Sequence, residues 1–568
     1  MEYTLKKVGI NMKTIPIGEV LKEQGYINEE QLQQALEAQK QDRSKRLGQH
    51  LIDLGFVTEE QTLQAMSAKL GEPFVDMNNV NVDMNAVSKI PAALANKYNI
   101  LAVEMRNNTL VIVTSDPMNF YGFEDIRLVT GLDLTICLAT EESIKNAISY
   151  YYSEVKARFA ADIANQSTNI PLIDDEEIYN SEDDDTPVVK LLNSLLTKGF
   201  SSNVSDIHVE PFENETLVRM RIDGMLIESM KLQKNIHNAL VVRTKILANL
   251  DISEKRVPQD GHFVITINGE KMNLRVSIVP TVHGEKIVLR YLNSNTPIEY
   301  ASHFGMREEK YKMMIDMMGN PNGIIYVTGP TGSGKTTTLY MIMEKLAQRN
   351  VNILTIEDPV EKTLNHINQM QVNNVAGLTF EAGLRAILRQ DPDIIMVGET
   401  RDAETASISV RAAITGHLVV STLHTNDAVS TIVRLEDMGI EPYMVSNSVV
   451  GIVAQRLVKK VCPHCAKKVA TTEDDKRILK RDIPYVYQSV GCPACHQTGY
   501  KGRIAVHEMI LIDRNIKKMI SEHREIDDIY DYVKKNQNFT SLFDESLSLV
   551  EEGKTTVEEL LKISFYER

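Results

Sequence analysis

The run GPTGSGKTTTLY, residues 329–340, sets Gly329, Gly334, Lys335 and Thr336 at the spacing GxxxxGK(S/T). Residues of these types at this spacing hold phosphate. Glycines let backbone N–H groups curl round anionic oxygens, a lysine reaches the β- and γ-phosphates, and a threonine hydroxyl ligates Mg²⁺. The cradle is expected to comprise Gly329, Pro330, Thr331, Gly332, Ser333, Gly334, Lys335, Thr336 and Thr337, with Thr336 as the magnesium ligand. A bare Gly/Thr turn would share the composition but not the context. Here the apolar run GIIYVT leads in and the helical pattern TTTLYMIMEKLAQ leads out, as a phosphate site at a helix N-terminus requires.

Three further apolar runs end in polar groups. LTIEDPVE (354–361) ends at Glu357, DPDIIMVGETRD (391–402) at Glu399, and HLVVSTLHTND (417–427) at His424. In an open α/β sheet, ligands lie at the carboxyl ends of the strands. The three clusters are therefore expected beside the phosphate loop. A carboxylate there orients water or holds Mg²⁺, and an imidazole contacts the γ-phosphate. Each alone would also pass as a strand-end turn residue. Arg275 in LRVSIV and Arg290 in KIVLRYL lie inside apolar strands of a preceding region. A partner is expected for each, either the γ-phosphate of an adjacent nucleotide or an ion pair within the domain.

A different chemistry is suggested by cysteine. Four of five cysteines form two CxxC pairs, Cys462/Cys465 and Cys492/Cys495. The N-terminus has no apolar signal core and the apolar runs are of strand length, so a cytoplasmic protein is expected. In a reducing compartment, paired CxxC turns point to a four-thiolate zinc site that holds structure and leaves no position open for water. Four unligated thiols are the alternative. Cys137, alone in LTICLAT, is expected to be a small buried apolar residue.

The chain that must position these groups has 568 residues and a net charge of −15. That length implies several domains, and that charge argues against nucleic acid as a partner. Residues 17–36 and 47–66 repeat each other with a period of 30, each copy reading as helix, glycine turn and helix. Residues 1–75 are expected to form this helical module and 76–154 a small α/β part. Within 174–185, eight of twelve residues are acidic, so 155–186 is expected to be a linker. Alternating strands fill 187–295. From 296 to 568, strands IIYVTG, VNILTI, DIIMVGE and HLVVSTLH alternate with helices, which implies a mainly parallel sheet. A tetracysteine subdomain is expected at about 460–500.

In this order the motifs resemble the secretion ATPases of type II secretion and type IV pilus assembly. GPTGSGKTTT looks like the Walker A segment, TIEDPVE the aspartate box, ILRQDPDIIMVGETRD the Walker B segment and GHLVVSTLHTND the histidine box. SDIHVEP (205–211), RIDGML (221–226) and VPQDGHF (257–263) are similar to signatures of the domain before the motor. The resemblance implies a multidomain α/β chain. It has a RecA-like P-loop motor preceded by a small α+β, PAS-like domain and an N-terminal helical plus α/β module of the MshEN type.

It further implies a homohexamer, peripheral at the cytoplasmic face of the inner membrane, that hydrolyses ATP with Mg²⁺ to move a membrane platform protein. Glu399 would activate water, Glu357 would be the aspartate-box carboxylate, and Lys335 and His424 would serve the phosphates. Arg275 and Arg290 would be the arginines brought to ATP. The tetracysteine zinc and the N-terminal module favour assembly over retraction. The N-terminal repeat resembles a cyclic di-GMP module, with Gly18, Gln39, Arg46, Leu47 and Gly48 as the matching residues. Pro16 replaces the leading arginine in one copy and Lys69 the closing glutamine in the other. His262 stands where many relatives have arginine. Two other readings remain open: a nucleotide-gated scaffold with little turnover, and a motor serving a DNA-uptake pseudopilus.

Overall fold

The computed structural model of the protein describes residues 15–77, 80–166, 186–267, 269–292 and 301–564. The chain divides into two units, Met1–Tyr291 with Cys492–His496, and Leu292–Gly491 with Gln497–Arg568.

The first unit begins with the repeat. Helices Glu29–Gln41 and Glu59–Leu70 each start in a capping box, Asn28 with Gln31 and Thr58 with Gln61. Both satisfy two end N–H groups reciprocally. Helix Ile17–Glu23 of the first copy packs on Glu59–Leu70 of the second, and Glu29–Gln41 packs on Leu47–Asp53. The copies thus interlock round one core that includes Leu21, Leu32, Leu51 and Ala65.

Next, strands β1 (Ile100–Arg106), β2 (Thr109–Thr114) and β3 (Asp133–Leu138) form a sheet in that order, antiparallel and then parallel. Helix Glu141–Gln166 follows, so the expected linker is helical over 155–166. The reason is local. Ala157, Ala160, Ala161 and Ala164 recur at helical spacing and are buried, an apolar stripe. It shares a core with Leu191, Leu192, Leu195 and Leu196 of helix Pro187–Ser201. Beside that contact, Glu154 and Lys198 form a buried ion pair at 2.5 Å. The acidic run 174–185 lies outside the described residues.

Strands β4 (Asp206–Pro211), β5 (Glu215–Ile222), β6 (Met225–Gln233), β7 (Gln259–Ile267), β8 (Glu270–Thr281) and β9 (Gly284–Tyr291) make an antiparallel sheet, order β6-β5-β4-β9-β8-β7. Its core face carries Leu274, Val276, Ile278, Ile287 and Leu289. With a period of two, Arg275 and Arg290 fall on the other face.

In the second unit, β10 (Gly323–Thr328), β11 (Ile353–Glu357), β12 (Asn368–Gln371), β13 (Ile394–Val397), β14 (Leu418–Leu423), β15 (Val449–Val461) and β18 (Tyr500–Leu511) form one sheet. The order is β12-β11-β13-β14-β10-β15-β18, parallel except for the last pair. The short hairpin β16 (Lys467–Ala470) and β17 (Tyr485–Gln488) is separate. All four apolar runs expected as strands are strands; β15 and β18 are two longer ones that those runs did not indicate. Ile324 and Tyr326 belong to one core and Ile325 and Val327 to the other. A parallel sheet buried on both faces needs such continuous apolar strands.

Candidate nucleotide and metal sites

The loop from Gly329 to Gly334 joins β10 to helix Lys335–Leu346. Gly329 has φ +145°, and a Cβ there would lie 2.4 Å from the Gln455 carbonyl oxygen. Only glycine passes between the loop and β15. Gly334 has φ +86°, the left-handed region that glycine enters without strain. Lys335 Nζ donates to the carbonyls of Gly329 at 2.7 Å and Pro330 at 3.0 Å. Ser333 Oγ is buried with no hydrogen-bond partner among the described residues. A glycine cradle, an ammonium group and a helix N-terminus together suit nucleotide phosphates.

Neighbouring strands deliver the other groups to that edge. β13 lies between β11 and β14, and β14 pairs with β10. Glu399, just beyond β13, is ion-paired with Arg401, and His424 Nε2 lies 3.7 Å from Glu399 Oε2. Burial and the Lys335 charge hold the His424 imidazole below its usual value, with Glu399 opposing.

Glu357, the last residue of β11, is placed differently from Glu399. It is buried, its Oε2 accepts from Tyr340 Oη at 2.5 Å, and its Oε1 accepts from Thr355 Oγ1 at 2.5 Å and Gln369 Nε2 at 3.0 Å. Tyr340 also accepts from the Glu361 N–H at 2.9 Å. The carboxylate thus braces the segment after β11.

Burial pushes the Lys335 ammonium down to about 8, with Arg456 adding to the shift and Glu399 opposing it. Phosphate oxygens near Nζ favour the charged form, so binding above that pH takes up a proton. ATP affinity is expected to be flat below about pH 8 and to fall above it by up to about tenfold per pH unit. Calorimetry in buffers of different ionisation enthalpy reads the proton; heats that agree between buffers at about pH 8.5 would exclude this linkage.

Sequence reasoning missed Gln455 and Arg456. Both are buried, and both are polar residues inside the apolar strand VVGIVAQRLVKKV. That interruption is the signal that could have found them. Tyr340 and Gln369 carried no comparable signal.

The two CxxC pairs come together. Cys462 and Cys465 follow β15, while Cys492 and Cys495 precede β18, and the four sulfurs lie within 4.8 Å of one another. Cys492 Sγ and Cys495 Sγ are 3.7 Å apart. Tetrahedral zinc with bonds of ~2.3 Å sets its sulfurs ~3.8 Å apart, so the donor set and spacing are compatible with zinc. Cys137 is buried, as expected, which pushes its thiol up to about 11.

In the first unit, Arg290 Nε pairs with Asp206 Oδ1 at 2.7 Å, and Arg221 Nε lies 3.5 Å from Oδ2 of the same carboxylate. Arg275 faces Arg290 across the β8–β9 ladder and is exposed. A cavity of about 340 Å³ lies where the repeat meets the α/β part. Arg46 and Gly48 line it, with Lys45, Glu59 and Asp116; Gly18, Gln39 and Leu47 do not. Arg46 Nη1 is held by Asp116 Oδ1 at 2.8 Å. Gly18 is instead closed off by Leu32, whose Cδ1 lies 2.5 Å from where a Cβ would be.

Among the described residues no helix is long and apolar enough to cross a membrane. Two family models match: "Type II/IV secretion system protein" over residues 181–562 and "MshEN domain" over 70–158. The type IV pilus assembly ATPase PilB of Myxococcus xanthus is 39% identical, covering 89% of this chain and 91% of its own. The type II secretion system protein E of Pectobacterium carotovorum is 39% identical, covering 84% and 97%. The ATPase DotB of Legionella pneumophila shares the fold, with a TM-score of 0.50 at 23% identity, over 66% of this chain and 95% of that one.

Proposed function

Because the chain belongs to the type II/IV secretion system protein family, we propose that this ATPase is the homohexameric motor of a pilus- or pseudopilus-assembly machine. It would work peripherally at the cytoplasmic face of the inner membrane and displace a platform protein. The observation that carries this reading is the match to a type IV pilus assembly ATPase over 89% of the chain.

The residues divide the work. Backbone N–H groups of the loop hold the β- and γ-phosphates while Lys335 exchanges two carbonyl partners for phosphate oxygens. Thr336 is exposed at the start of its helix and would hold Mg²⁺, which when bound neutralises charge on the phosphates. Glu399 orients the attacking water and takes its proton. His424 donates a ring N–H to the γ-phosphate. Glu357 serves through Tyr340, Thr355 and Gln369, fixing the chain after β11 and not meeting water itself. Arg275 and Arg290 would bring positive charge to the γ-phosphate, Arg290 by giving up Asp206. Cys462, Cys465, Cys492 and Cys495 would hold a zinc ion, which would staple the arm between β15 and β18.

The cavity at Arg46 favours a second role, cyclic di-GMP sensing. A phosphate or guanine edge would have to displace Asp116 from Arg46. That exchange costs little, because exposed ion pairs are worth about 0–1 kcal/mol. One experiment tests both readings: phosphate release by the full chain with vesicles carrying the platform protein, while cyclic di-GMP is titrated. Stimulation by the platform protein is expected, with a dependence on cyclic di-GMP that Arg46→Ala removes. Release indifferent to the platform protein overturns the assembly reading, and indifference to the nucleotide overturns sensing.

A further inference from the structure

We infer that Gln455 is a positioning residue for ATP: it fixes the Ser333–Gly334 peptide so that the Gly334 N–H faces the phosphates. The placement follows from strand register. β15 lies parallel to β10 with Ala454 opposite Thr328. Where β10 ends and the loop begins, β15 continues, which brings Gln455 directly alongside Gly329. The residue is 2% exposed.

A primary amide has a donor end and an acceptor end, and Gln455 uses both. Its Nε2 donates to the Ser333 carbonyl at 2.8 Å, and its Oε1 accepts from Thr338 Oγ1 at 2.8 Å. Between those two anchors lies Gly334, whose missing Cβ would be 2.9 Å from Nε2. One side chain therefore spans the last residue of the loop and the first turn of the helix.

In a planar trans peptide the C=O and the following N–H point in opposite directions. Holding the Ser333 oxygen against β15 turns the Gly334 N–H away from β15, into the loop. Without the Nε2 donor that carbonyl is buried and unsatisfied, and Gly334 has the freedom to let the peptide flip. A flipped peptide would aim an oxygen at the phosphates. The effect would fall on nucleotide affinity, because the groups that act on water, Glu399 and His424, lie on other strands.

Replacing Gln455 does not orphan Thr338, since a helical threonine hydroxyl can turn to a carbonyl of the preceding turn.

The test is steady-state hydrolysis and direct binding of a fluorescent ATP analogue by the full chain. Gln455→Leu is expected to raise KM and Kd for nucleotide about tenfold or more, with kcat changed less than about threefold. If Gln455→Leu does not fold, Gln455→Glu decides, because it keeps the size and the acceptor for Thr338 but cannot donate to Ser333. Unchanged nucleotide affinity in the folded variant overturns the inference, whether or not the melting temperature falls. So does a loss confined to kcat.

Discussion

Replacing Glu399 by Gln is expected to lower ATP turnover by about 10²- to 10⁴-fold while nucleotide still binds. Glu399 lies just beyond β13, its side chain 18% exposed, and it acts on both Lys335 and His424. It is the carboxylate at this edge whose oxygens are not enclosed by neutral donors, in contrast to Glu357. Glutamine keeps the size and the Arg401 contact but cannot take a proton from water. Binding should persist because the loop and Lys335 are untouched. Phosphate release by the full chain, read beside analogue binding, checks both halves. Turnover within tenfold of the wild type would remove Glu399 from the chemistry.

Removing the metal is expected to be the largest structural change a single substitution can make here. Structural zinc contributes on the order of 10–16 kcal/mol of apparent binding free energy to local folding. Three of the four thiols are buried, and the arm between them is held by few elements, the hairpin β16–β17 and helix Glu473–Leu479. Protein purified under reducing, chelator-free conditions should carry one zinc per chain. Cys492→Ser should lose it and open residues 460–500 to hydrogen exchange. The phosphate loop should keep its affinity for nucleotide, because β15 remains paired with β10 from Gly451 to Ala454 and with β18 from Gly451 to Leu457. Finding no zinc in the unaltered protein would overturn the assignment.

Much of this was written locally. The phosphate loop is legible because its chemistry is a property of one uninterrupted segment: glycines for the turn, a lysine and a helix start. The repeat is legible for the same reason, since its two copies match at a period of 30 within one short stretch. The two CxxC pairs are each local, and thiol chemistry leaves few alternatives. Runs such as IIYVTG and DIIMVGE declared a parallel sheet because they alternate with helices.

Other features depended on which segments meet. Helix 141–166 runs into the expected linker because its alanine stripe packs on Leu191 and Leu195, a contact that charge composition does not encode. Glu357 and Glu399 read alike as carboxylates at strand ends. Only the fold puts Tyr340, Thr355 and Gln369 round the first and leaves the second beside Lys335. Arg290 was expected to have a partner, and the register of β4 against β9 made that partner Asp206. Gly18 matched a ligand motif, yet Leu32 closes it while Arg46 opens on a cavity. Sequence by itself determined the groups carried within a single turn or strand. Tertiary structure alone decided what each group faces, because hydrogen-bond partners and burial are set by strand register and helix packing between residues up to a hundred or more positions apart.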